Sequence, residues 1–426
     1  MSGAGNVTVL GANSLGVDTV TLHYDTTTAQ NIAATLAASI TTGVQAGSIV
    51  PSDGGTAALG PGQTGELVAN TPRQMYFMSP GYEDAVIGAG GLATVFGSGG
   101  NNESILKNNG ALTFIATAGS GTVVAGGAVQ IFGQTYYYGS DIILPASDAG
   151  SWDVATGNGN DTIVAAGAGN DTIAAGGGTN NIQLGGGNDT ITTTGFDIIQ
   201  AGSGSATVSA LAGGHDRIVA GSGNLDVNAS GNAIVVMLAG TGSDTFTGGS
   251  GIAIVHGGTA GNNLLTAGTG ATTLFGGGSG DTLTAGGANQ ILIAGSGAET
   301  LVGSAKGFDR LRAGPGADSL AASGNHNFLI RSAGATSVTS AVMNTSGNYN
   351  EFLFINAGKA GGGTDTITGF NSTDKVALYG YAPGVIANAV AHQTQAGGST
   401  TVTLTDNTRI TFQNLTSVTA QNFTFL

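Results

Sequence analysis

The chain reads GNGNDTIVA over residues 157–165, AGAGNDTIAA over 166–175 and LGGGNDTIT over 184–192. Each unit sets glycines, then Asp, one further residue and an aliphatic. Followed through the chain, that aliphatic falls at Ile163, Ile173, Ile182, Ile191, Ile199, Val208, Ile218, Val227, Val236, Phe246, Val255, Leu264, Leu274, Leu283, Leu292, Leu301, Leu311, Leu320 and Leu329. These 19 positions span 166 residues, a mean step of about 9.2. No amphipathic helix yields such a period with Gly at fixed offsets. Glycine supplies the φ > 0 conformations of a tight turn. The residues after it alternate as a short strand, and one aliphatic per strand points inward. A single nonapeptide cannot bury that side chain, so neighbours must stack. Two nonapeptides make one coil, which sets residues about 18 apart one above the other.

The ladder extends backwards through Val86, Val95, Ile105, Phe114, Val123 and Phe132, then by longer steps through Ile143 and Val154. The interruption coincides with Tyr136, Tyr137 and Tyr138, which read as an insertion or exposed bulge. The expected fold is therefore all-β: a parallel β-solenoid of nonapeptide repeats with a small N-terminal α/β module and a C-terminal β cap. The expected boundaries are 1–80 for the module, 81–335 for the solenoid (clearest over 153–330) and 336–426 for the C-terminal region. In the module, Val17 to Tyr24 alternates as a strand. Ile32, Leu36, Ile40 and Val44 recur at i, i+4 spacing, as on an amphipathic helix.

Composition agrees with an ordered repeat. The chain holds 78 Gly in 426 residues and only 8% charged residues, against about 25% charge in an ordinary domain. Its 40% hydrophobic content argues against disorder. Ten Lys and Arg stand against 25 Asp and Glu, a net charge of −15. Nucleic acid is thus an unexpected partner, because phosphate binding needs basic patches. Cations suit the acidic chain, calcium above all. There is no cysteine to form a disulfide or thiolate site. No run of about 18 apolar residues exists, so no membrane insertion is expected.

The repeats resemble the repeats-in-toxin (RTX) nonapeptide GGxGxDxUx, where U is a large aliphatic. The likeness is strong from Gly157 to Ile191 and degenerate later. It implies a right-handed parallel β-roll with calcium ions between stacked turns, held by the motif Asp side chains and by turn carbonyls. Carried over by position, the metal-ligating residues are Asp161, Asp171, Asp189, Asp197, Asp216, Asp244, Asp281, Glu299, Asp309 and Asp318. Asn180, Ala206, Leu225, Ile234, Ala253, Asn262, Thr272, Gln290 and Asn327 fill the other slots. One edge of the second half reads Asp244, Asn262, Asp281, Glu299, Asp318; the opposite edge reads Ile234, Ala253, Thr272, Gln290. Calcium is therefore expected mainly on one edge there. Asp84, Glu103 and Asp141 occupy equivalent slots in the first half and read as turn hydrogen-bonders.

The C-terminal region alternates as TTVTLTD and TRITFQN across a turn, which suggests a hairpin. It looks like the tail that follows RTX arrays in type I secretion substrates. The matching pieces are 365–370, Asp374-Lys375-Val376 and 422–426. The start of the sequence, Met1 to Leu22, lacks the pattern of a cleavable leader. The resemblance thus implies a secreted protein whose acidic turns fold where calcium is abundant.

No HExxH, GxSxG or GK[ST] motif occurs, and the five histidines are scattered. The expectation is a non-enzymatic, calcium-binding protein that assembles with copies of itself at a bacterial surface, as an S-layer, filament or biofilm matrix. An adhesin that binds cell-surface polysaccharide is the second reading. Its candidate platform is Tyr136, Tyr137, Tyr138 and Trp152.

Overall fold

The computed structural model describes residues 5–71, 75–88, 90, 92–108, 110–116, 119–126, 128–131, 134–137, 139–144, 146–331, 340–356 and 362–426. The chain divides into two compact units, residues 1–223 and 224–426.

The first unit opens on a hairpin, β1 (Asn6–Asn13) and β2 (Gly16–His23), followed by helix α1 (Thr27–Ala46). Thr26 caps the helix by accepting the N–H of Ala29, and Gly47 ends it with φ 73°. The buried stripe of α1 is Ala29, Ala33, Ala37 and Ile40; the larger Ile32, Leu36 and Val44 of the expected stripe are only partly buried. The small residues let the helix lie close to its neighbours. It packs, with the hairpin, on Val68, Val86, Leu106, Val124 and Ala155, which face outward from successive coils. The module therefore covers the flank of the coils. Asp25 secures it by accepting the N–H of Asn158, a turn residue (3.0 Å).

Behind it run two columns of parallel strands. One contains Ile49–Asp53, Thr64–Ala69, Tyr82–Ile87, Glu103–Lys107, Gly121–Ala125, Trp152–Ala155, Thr172–Ala174, Asn188–Thr193 and Ser205–Ala210. The other contains Met75–Phe77, Ala93–Phe96, Leu112–Ile115, Asp141–Leu144, Thr162–Ala165, Asn181–Leu184, Ile198–Gln200 and His215–Val219. Register places Ile163, Ile182, Ile199 and Ile218 in one file, and Ile173, Ile191 and Val208 in another, all buried. The interruption is an antiparallel hairpin, Ala128–Ile131 with Gln134–Tyr137. It carries Tyr136 and Tyr137, while Phe132 and Tyr138 lie outside the described residues.

The second unit repeats the pattern. Val227, Phe246, Leu265, Leu283, Leu301, Leu320, Met343, Ile367 and Phe412 form one inward file. Val255, Leu274, Leu292, Leu311, Leu329, Phe352, Val376 and Phe423 form the other. The parallel columns thus run past residue 335 into the C-terminal region, and begin before residue 81 in the first unit. The expected C-terminal hairpin is present, with Thr400 opposite Phe412 and Val402 opposite Ile410. Among the described residues no helix is long and apolar enough to cross a membrane.

Glycine is obligatory where coils touch. Gly178 has φ 105°, and a Cβ there would lie 2.0 Å from the carbonyl oxygen of Gly159 in the coil below.

Four sequence assignments shift by one residue. Ala85, not Val86, stands in file with the inward Ile105, and Val86 lies under α1. Leu265, not Leu264, is buried, and Leu264 is 49% exposed. Val235 and Met237, not Val236, face inward, and Ile142, not Ile143. Each lies in a run of adjacent aliphatics, where a slip of one residue exchanges the two faces of a strand. Leu283→Ala should cost about 2–5 kcal/mol. Leu264→Ala should stay within about 0.5 kcal/mol. Urea unfolding of the two variants checks this; equal losses would contradict the register.

Candidate metal centre

The slot residue of each coil precedes its inward aliphatic by two positions, so on a strand both point to the same side. All ten carboxylates named from the sequence are buried. They stand in four files. Asp161, Asn180, Asp197 and Asp216 share one file of the first unit, and Asp171 and Asp189 share the other. In the second unit, Asp244, Asn263, Asp281, Glu299 and Asp318 form one file, and Gln290, Asp309, Asn327, Asn350 and Asp374 the other.

Within a file the polar groups link coil to coil. The N–H of Asp171 donates to Asp189 Oδ1 (3.0 Å), and that of Trp152 to Asp171 Oδ1 (2.9 Å). The N–H of Asp161 donates to Asn180 Oδ1 (2.9 Å), and that of Asn180 to Asp197 Oδ1 (3.1 Å). In the second unit the N–H of Leu225 donates to Asp244, Asp244 to Asn263, and Asn263 to Asp281, each at 2.8 Å. The second carboxylate oxygen commonly accepts from the turn of its own coil: Gly240 to Asp244 (2.9 Å), Gly277 to Asp281 (2.7 Å) and Gly314 to Asp318 (2.8 Å). Each bond satisfies a backbone N–H at a turn.

The negative charge is less well provided for. Burial pushes Asp161 and Asp171 up to about 6 and Glu299 up to about 7. Neighbouring carboxylates add to this: Asp189 beside Asp171, and Asp318 and Asp281 beside Glu299. Burial, with Asp216 close by, raises Asp197; burial also raises Asp189, Asp216, Asp244, Asp309 and Asp318. Asp161 Oδ2, Asp216 Oδ1 and Glu299 Oε2 are buried without a hydrogen-bond partner among the described residues. Oxygen-only donors, paired carboxylates and unmatched lone pairs fit a hard divalent cation. Among the described residues no three His, Asp or Glu side chains converge on one point. A cation here would therefore rest on one or two slot side chains and on turn carbonyls.

Several site assignments change. Asn263 takes the slot assigned to Asn262, following the shift at Leu265. The second edge does not end at Gln290. Asp309, Asn327, Asn350 and Asp374 continue it, and the N–H of Asn350 donates to Asp374 Oδ1 (2.8 Å). Asn350 and Asp374 escaped the periodicity because their spacings are 23 and 24 residues. In the first half, Glu103 Oε1 accepts from the N–H groups of Gly99 and Gly100 and from Ser98, a turn role. Asp141 is exposed; the N–H of Ser140 instead donates to Asp161. Asp84 pairs in register with Glu66 on a strand, away from the turns. Trp152 is 1% exposed, and its indole N–H donates to Asp148 (2.9 Å). It is no part of a surface platform.

The family profile of the RTX calcium-binding nonapeptide repeat, in four copies, matches residues 155–191, 236–252, 257–292, 293–329 and 306–336. This chain carries RTX-type repeats. The matched RTX segments contain eight of the ten carboxylates named above; Asp197 and Asp216 lie between matches. A crystal structure of the extracellular lipase LipA from Serratia marcescens is similar at 16% identity over 56% of this chain, with a TM-score of 0.20. The RTX chain spans 40% of that lipase, and the likeness says nothing of its activity. No curated protein matches it.

Carboxylates raised by burial destabilise the fold once they ionise. Without calcium, the stability they permit is complete below about pH 4, the usual carboxylate range. It is lost as pH rises through about 6–7, where Asp161, Asp171 and Glu299 titrate in the fold. Thermal melts with and without chelator should therefore diverge more at pH 7.5 than at pH 5. A calcium effect independent of pH would contradict this.

Proposed function

We propose that this RTX protein is a secreted, calcium-binding structural protein that assembles with copies of itself at the bacterial cell surface. The observation that carries the calcium part is the stacking of buried carboxylates in adjacent coils. Asp171 with Asp189, Asp197 with Asp216, and Asp281, Glu299 and Asp318 in file would hold the ions, together with turn carbonyls. Bound calcium supplies the positive charge that these turns lack. The chain's own part is to align the carboxylates, through N–H donors and inward aliphatics, so that one ion serves two coils.

The structural reading is supported by the use made of the chain. Coils fill most of both units, and the remaining module packs along their flank. Secretion fits the same chemistry. Acidic turns repel one another where calcium is scarce, and metal binding then adds to folding outside the cell. A C-terminal type I signal remains part of the proposal, and its candidate pieces at 365–370 and Asp374-Lys375-Val376 also serve as rungs of the coils.

Negative-stain microscopy of the purified chain in millimolar calcium, then in excess chelator, tests this reading. Ordered sheets or filaments that disperse with chelator are expected. Dispersed particles in calcium would remove self-assembly, and assemblies indifferent to chelator would remove calcium as their switch.

A further inference from the structure

The net charge of −15 misdescribes the protein's surface. Sixteen of the 25 Asp and Glu residues are buried, most of them in the turn files. Of the described Lys and Arg, only Lys107 and Arg331 are buried. Three of the ten cations, Lys306, Arg310 and Arg312, fall within seven residues, and all three are exposed.

Arg310 and Arg312 flank the buried Leu311 on one short strand, so both leave the same outer face. Register sets Ile291 and Phe328 on either side of Arg310, and Ile293 and Ile330 on either side of Arg312. The Arg310 guanidinium stands 5.7 Å from the centre of the Phe328 ring. An apolar, flat surround of this kind leaves the guanidinium forks weakly hydrated and oriented.

A ridge of rings runs beside them. Phe308, His326 and Tyr349 occupy the turn position just before the slot residue in three successive coils. Their rings stack at 4.9 Å and 5.1 Å, with interplanar angles of 2° and 18°. Phe308 and Tyr349 are 51% and 58% exposed. All three adopt the left-handed conformation, with φ 61°, 58° and 58°. Asn289 holds the same position one coil earlier with φ 61°, and Asn tolerates that conformation where bulky residues do not. Aromatic side chains have thus been placed three times at a strained turn position without entering the core. Backbone strain that contributes no core burial marks a functional surface.

We propose that this basic and aromatic patch binds an anionic polysaccharide. The Arg310 and Arg312 forks pair with its acidic groups, and its sugar C–H surfaces lie along the aromatic ridge. A guanidinium fork matches a carboxylate or sulfate with two parallel hydrogen bonds. The stacked rings offer flat apolar faces, and His326 and Tyr349 add polar groups, which suits a wet, partly apolar ligand. A second copy of the chain is a poorer occupant, because its exposed acids, such as Asp18, Asp53, Asp141 and Asp153, are dispersed over separate strands and turns. Nucleic acid asks for a longer run of cations than these three. The inference rests on the proposed function only for the cell-surface setting; binding itself does not require assembly.

The test uses the full calcium-loaded chain over immobilised hyaluronate, dextran sulfate, neutral dextran and oligothymidylate, read by biolayer interferometry. Arg310→Ala with Arg312→Ala removes the forks. Phe308→Asn removes a ring and keeps a residue that accepts the backbone. Melting temperatures establish that each variant is folded. Binding to either anionic glycan and not to dextran is expected, weakened about tenfold or more in the double variant and measurably in Phe308→Asn. Equal binding by the variants, equal retention on dextran, or tighter binding to oligothymidylate would overturn the proposal. Microscopy of the same samples separates the two readings: assembly without glycan binding removes this inference alone, and glycan binding without assembly removes self-assembly alone.

Discussion

Most coils bury a carboxylate or an amide at the mouth of a turn, where it accepts the backbone N–H of the adjacent coil. That contact sets the rest of the architecture. A solenoid turn exposes N–H groups that its own strands cannot satisfy, and each must find an acceptor. Asp and Asn supply one at the right height, as Asp244, Asn263 and Asp281 do in succession. The cost is charge. An amide such as Asn263 or Asn180 makes the link without it, whereas an Asp brings a negative charge into a place that desolvates it. An Asn set between acids, as at Asn180 and Asn263, relieves repulsion, and a divalent cation would relieve what is left between consecutive acids such as Asp281, Glu299 and Asp318. Coil stacking, core formation and metal affinity are therefore one problem, solved at one residue per turn.

The inward file was largely legible in the sequence, because aliphatics at a nine-residue step with Gly and Asp at fixed offsets admit few other readings. Ile163, Ile182, Leu283 and Leu301 lie where that step puts them. The reading slipped where two neighbours were equally apolar, as at Leu264 and Leu265, since period alone does not choose the face of a strand. It stopped early where coils lengthen. Asn350 and Asp374 continue a file whose spacing has grown past twenty residues. The packing of α1 was out of reach for another reason. Its buried stripe is alanine, chosen for close approach to Val86, Leu106 and Val124, and small residues give little periodic signal. Trp152 shows the converse: an aromatic beside a tyrosine run looks like a surface platform, and Asp148 instead draws its indole inside.

Surface and interior also divide the charge. Because the turns take in most of the carboxylates, the exterior is far less acidic than composition implies, and a short cationic strand flanked by rings stands out on it. Calcium affinity and glycan affinity can then reside on one chain without interfering. The carboxylates proposed as metal ligands face inward, and the cations proposed to meet a polyanion face outward. A protein built this way would gain rigidity from the ions and keep its faces free for packing and attachment.

The central claim is that the turn carboxylates are metal ligands shared between coils, not only acceptors for backbone N–H groups. A crystal structure of the chain grown in calcium, with the ions identified by anomalous scattering, tests it most directly. The account predicts ions beside Asp171 and Asp189 and along the Asp281, Glu299 and Asp318 file. Turns with unchanged N–H contacts to these carboxylates and no ion, in crystals saturated with calcium, would contradict it.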